Sequence, residues 1–235
     1  MGKELLFEIG VEEIPSTYMP GMLAALEKNA RSLLGDLRLD FEGLTVCGTP
    51  RRLVLHVTGL PDQQEPVERK GLGPPVSAAF DKDGHPTKAA LGFAKTFGVE
   101  VTDLSREDTP KGERLAFVVK DPGSPTSEAL PFLLDGLIRQ LPSPKSMRWK
   151  RGKFAFVRPI HWVLALYEGK PLTFSMTESG QPEPDYPRAS NITRGHRFMA
   201  NKSFEVSGYD GYISKLHDHF VEPIIDDGEG GGRIP

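Results

Sequence analysis

The sequence predicts an α+β protein built from small mixed or antiparallel sheets packed with amphipathic helices. Three observations carry that expectation. Apolar residues alternate in short runs such as LLFEIGV and recur at helical spacing in others such as MLAALEKNARSLL. The opening sixty residues read β-α-β-β, a compact α+β unit. A chain of 235 residues, 38% hydrophobic, can also bury a real core in one large domain or two small ones.

The elements follow in order. LLFEIGV alternates as a strand with Leu5, Phe7, Ile9 and Val11 on one face. Ser16 and Thr17 offer helix N-caps and Pro20 suits a first helical turn. Met22, Leu23, Leu26, Ala30, Leu33, Leu34 and Leu37 then repeat at helical spacing, with Gly35 near the end. LTVCGTPRRLVLHVTGLP holds two strand-like runs around Gly48-Thr49-Pro50, as a hairpin or a bulged bend. From Pro61 to Pro75 the chain turns polar and rich in Pro and Gly, which reads as a surface loop, with KGLGPP as a turn.

PTKAALGFAKTFGV predicts a short helix with Ala89, Phe93, Ala94 and Phe97 inward, stopped by Gly98. ERLAFVVKDPG reads as a strand running into a turn. The next segment predicts an amphipathic helix carrying Leu130, Leu133, Leu134, Leu137, Ile138 and Leu141. A basic stretch, an apolar run IHWVLALYEGKPLTF, ITRGHRF and a last helix around 209–220 complete the series. The expected organisation is a β-α-β-β unit over 1–61, a loop plus a short helical lobe over 62–112, and a second α+β part over 113–223 packed on the first. Residues 224–235, rich in glycine, read as an unstructured tail or a chain boundary.

Bulk properties narrow the function. The formal net charge of −3 gives no global pull on nucleic acid, so any polyanion site is a local patch. A single cysteine, Cys47, rules out an internal disulfide framework and fits a reducing compartment; it reads as a buried small hydrophobe. The start is too acidic for a signal peptide and the apolar runs are too short for a membrane helix, so the expected location is the cytoplasm, with no membrane partner.

The candidate chemistry begins at the end of the first strand. Glu8 stands mid-strand, and Glu12 and Glu13 stand where it stops. Paired carboxylates suit acid–base chemistry, but Arg51 and Arg52 begin a strand of the same small sheet, and ion pairs pinning strand to hairpin are the expected reading. The chain has no GxSxG elbow and no phosphate-loop motif, and KGLGPP lacks the helix and the Ser/Thr such a loop needs. His217 and His219 flank Asp218 at a spacing that puts their rings on different faces, unlike an i, i+4 metal pair. His196 lies between Arg194 and Arg197, to orient a phosphate or to hold a turn.

A basic, aromatic stretch exceeds these. Lys145, Arg148, Lys150, Arg151, Lys153 and Arg158 are interleaved with Trp149, Phe154, Phe156 and Trp162. Cations neutralise phosphates and flat rings stack on unpaired bases. The alternative is a hairpin whose rings are core and whose charges are solvated.

LLFEIGVEEIP, TPRRLVLHV, KGLGPPVSAAFDKDGHPTKAALGFAKTFGV, KSMRW, FVRPIHWVLAL and ITRGHRFM stand in the order seen in the bacterial glycyl-tRNA synthetase β subunit, and residues 3 to 223 resemble that family. The resemblance implies the N-terminal portion of a subunit of an α2β2 class II aminoacyl-tRNA synthetase, a ligase of protein biosynthesis that charges tRNA(Gly). It places ATP and Mg2+ on the separate α subunit, with no cofactor, metal or catalytic residue on this chain. The implied partners are the α subunit and tRNA(Gly); the basic stretch from Lys145 to Arg158, read from its own residues, is the candidate tRNA contact. After HDHFVEP the family continues into a charged helix with several arginines, where this chain has glycines. Two other readings are an editing-type or stand-alone hydrolase using Glu12, Glu13 or His196, and a pure scaffold that docks the α subunit. The absence of a catalytic constellation weighs against the first, and the basic stretch against the second.

Overall fold

The computed structural model describes residues 2–149, 154–178, 181–182, 186–226 and 232–233. It is an α+β structure in two compact units, residues 1–64 with 124–235, and residues 65–123.

The first unit is organised by strand β1 (Lys3–Val11), which is buried along most of its length. Helix α1 (Met19–Asp36) follows, then the antiparallel hairpin of β2 (Gly43–Thr49) and β3 (Arg52–Leu60). Thr49 pairs with Arg52, so Pro50 and Arg51 form a two-residue hairpin turn. Ser16 and Thr17 do not cap α1 as expected. They sit in a 3-10 turn that feeds the helix directly, with Pro20 at its start. The helix buries Met22, Leu23, Leu26, Ala30 and Leu34. Each large side chain among them, fully withdrawn from water, contributes about 1.5–3 kcal/mol.

The second unit begins where the sequence predicts a loop. Val67–Pro75 is strand β4, which leads into a short helix α2 (Val76–Ala79) and helix α3 (Lys88–Phe97). Strands β5 (Ser105–Thr109) and β6 (Gly112–Asp121) complete a three-stranded antiparallel sheet in the order β4-β6-β5. KGLGPP is therefore edge strand rather than turn. A Cβ at Gly71 would lie 2.4 Å from the Phe97 ring, and one at Gly73 2.6 Å from Phe93, so the glycines let α3 press on the strand. The inward stripe of α3 is Ala90, Phe93, Ala94 and Phe97, with Ala89 outside, and the helix ends at Gly98 with φ 66°.

The expected division at 112/113 does not hold, because residues 113–121 are β6, paired on both sides within the second unit. The chain re-enters the first unit beside its exit: the Gln64 N–H donates to Ser124 O at 3.0 Å and Gln63 bridges Pro125. Helix α4 (Thr126–Gln140) then buries Leu130, Leu133, Leu134, Leu137 and Ile138 with the α1 stripe. Strand β7 (Ile160–Tyr167) pairs with β1, and Glu168 and Gly169, both at positive φ, turn it into β8 (Lys170–Pro171). Residues 1–61 and the segment after 124 thus share one sheet rather than forming two packed parts.

Two short strands, β9 (Thr177–Glu178) and β10 (Gln181–Pro182), pair with each other. β11 (Ala189–Ser190) runs parallel to β7, giving the main sheet order β11-β7-β1-β3-β2. β12 (Ile192–Arg194) and β13 (Ser203–Glu205) form a small ladder before helix α5 (Tyr209–Asp218). Leu5, Phe7, Ile9 and Val11 face α1 and α4, while Leu6 and Val54 pack with Tyr212 and Leu216 of α5. Both faces of β1 are covered, and that places Glu8. Of the expected tail, Ile224 exchanges backbone hydrogen bonds with Gly48 and Ile225–Asp226 pairs with Gly232–Arg233, while 227–231 and 234–235 lie outside the described residues. No helix among the described residues is long and apolar enough to cross a membrane.

Candidate functional site at the end of the first strand

The end of β1 is stitched in from two sides. The Val11 N–H donates to Arg51 O at 2.9 Å, Glu12 N–H to Pro159 O at 3.0 Å, and Ile14 N–H to Pro50 O at 2.7 Å. The β2–β3 turn and the start of β7 therefore carry their side chains to the same acids.

Glu8 is fully buried, with Arg52 Nη1 3.6 Å from Oε1 and Arg52 itself 3% exposed. Arg52 Nη2 donates to Arg194 O at 2.9 Å. The Trp162 ring lies over Gly10, where a Cβ would come within 1.9 Å of the indole, and takes the guanidinium carbons of Arg52 at 5.8 Å and Arg194 at 5.0 Å. Burial pushes the Glu8 carboxyl above its ordinary value; Arg52 and the polar groups of Thr193, Trp162 and Tyr212 oppose that shift. Burial also raises the Tyr212 phenol well above its usual value, with the Glu8 charge adding to it. Cys47, in the same layer, is buried and its thiol is pushed up to about 12.

Glu12 and Glu13 stand outside this layer. Glu12 Oε2 lies 2.9 Å from His161 Nε2, and Oε1 lies 3.5 Å from Arg197 and 4.0 Å from Arg51. Glu13 pairs with Arg197 at 2.7 Å rather than with Arg51 or Arg52. Partial burial pushes Glu12 up, but the His161 hydrogen bond and the Arg51 charge outweigh it, and its carboxyl lies below the ordinary range. The strand end and hairpin alone set three acids against two arginines. That shortfall of cations is the sequence signal for Arg197, which stands in the ITRGHRF motif, and for His161.

Beside the acids opens a cleft of about 490 Å³, lined by Glu13, Arg51, Arg52, Arg197, Phe198 and Phe220 among others. His196 holds a turn at its edge. Its Nδ1 accepts the backbone N–H groups of Phe198 at 3.3 Å and Met199 at 3.2 Å. His217 pairs with Glu222, and His219 donates from Nδ1 to Lys215 O at 2.7 Å while stacking on Phe204.

The basic stretch divides. Met147 and Phe156 exchange backbone hydrogen bonds, and Lys145 and Arg148 are exposed. Trp149 is not an open stacking platform. It meets Phe154 and Tyr186 edge-on, both with centroids at 5.9 Å, and packs on the main core. Phe156 and Trp162 are buried. Arg158 donates to Glu13 O at 3.0 Å and Val157 O at 2.7 Å, a brace rather than a free cation. Lys150, Arg151 and Lys153 lie outside the described residues.

Fold and site together define an α+β protein whose conspicuous acids are held by cations and whose conspicuous histidine holds a backbone turn. Comparison with known sequences takes this further. The profile of the glycyl-tRNA synthetase beta subunit matches residues 5–228, and the chain belongs to that family. It is similar to the glycine–tRNA ligase beta subunit of Trichlorobacter lovleyi, 46% identical over 228 residues, covering 96% of this chain and 31% of the relative. The corresponding subunit of Syntrophotalea carbinolica is 46% identical over 226 residues, with 96% and 31% covered, and that of Citrifermentans bemidjiense 43% identical over 225, with 95% and 31%. The chain thus spans about a third of the length of these relatives.

Proposed function

We propose that this chain is the N-terminal portion of the β subunit of an α2β2 glycine–tRNA ligase and supports ATP-dependent charging of tRNA(Gly) in the cytoplasm. It acts by contact. Glycyl-adenylate forms on the α subunit, which uses ATP and Mg2+, and this chain supplies neither cofactor nor catalytic group. The observation that carries the reading is the family match over residues 5–228, supported by relatives 46% identical across nearly the whole chain.

The tRNA-binding element of this portion is the basic stretch of Lys145, Arg148, Lys150, Arg151 and Lys153, of which Lys145 and Arg148 are exposed beside the Met147–Phe156 backbone pair. Such cations fix the position of a phosphate backbone without reading bases. In the complete enzyme, Lys145→Ala with Arg148→Ala raises the KM for tRNA and leaves glycine-dependent pyrophosphate exchange unchanged. It also makes the salt dependence of tRNA binding shallower, by about 0.7–0.9 in log–log slope for each phosphate no longer neutralised. An unchanged KM and slope would leave these cations as solvated surface charge.

A further inference from the structure

We draw no further inference here: the strongest candidate, the cleft beside the acids at the end of β1 lined by Arg51, Arg52, Arg197, Phe198 and Phe220, carries nothing because its exposed rings and arginines suit a protein and a polyanion alike and nothing in the structure shows what covers it.

Discussion

Glu8 and Glu12 belong to the same stretch of chain, and their surroundings reverse what each carboxylate does. Glu8 is sealed beneath Trp162 with Arg52 as its counter-charge, so desolvation dominates and its proton is held more tightly. Glu12 remains 42% exposed among Arg51, His161 and Arg197, and there the favourable partners outweigh desolvation. Residue type is the same at both positions, and they lie on one strand and its end. The difference is that α5 and β12 cover one face of β1, while the strand end stays open to water. A buried pair is held because separating its members is costly, whereas an exposed pair contributes little stability on its own.

The largest expected effect breaks the buried pair. Arg52→Met leaves the Glu8 carboxylate buried without its counter-charge and should lower stability by about 3–5 kcal/mol. Adding Glu8→Leu to Arg52→Met should recover much of that loss, since an apolar replacement of the whole pair leaves no buried charge behind. Urea denaturation of the single and double variants reads both. A double variant no more stable than the single one would mean that the layer needs the carboxylate itself.

A smaller effect sharpens the comparison through pH. The folded-state pKa of Glu8 is raised, so the folded chain binds its proton more tightly than the unfolded one does. Its contribution therefore declines as pH rises above the unfolded value of about 4.3 toward the folded value. The Glu12 value is depressed, so its contribution is in place above about 4.3 and is lost as pH falls through the folded value. Stability relative to Glu8→Gln should thus fall with rising pH, and stability relative to Glu12→Gln should rise with it. Denaturation midpoints across the acid range show both, and slopes of the same sign would contradict the assignment.

How much of this was legible follows from where burial comes from. The stripes of α1 and α4 were readable because each buries one face at helical spacing. Strand β4 was not, since its glycines serve Phe93 and Phe97 on a later helix and locally look like a turn. The alternation of β1 marked Leu5, Phe7, Ile9 and Val11 as one buried face but could not show that α5, far along the chain, buries the other. The burial of Glu8 was therefore invisible locally, although Arg52 could be named as a partner from the strand that pairs with it. Arg197 and the packing of Trp149 against Tyr186 likewise depend on segments joined only by the fold.

If the acids at the end of β1 hold structure and do no chemistry, Glu12→Gln in the complete ligase leaves turnover intact. A general acid or base contributes about 10²–10⁴-fold, so a structural Glu12 predicts that kcat for glycyl-tRNA formation stays within about threefold of the parent. A loss of about a hundredfold or more in kcat, with the melting temperature and the KM for tRNA unchanged, would make Glu12 a catalytic group rather than a structural one.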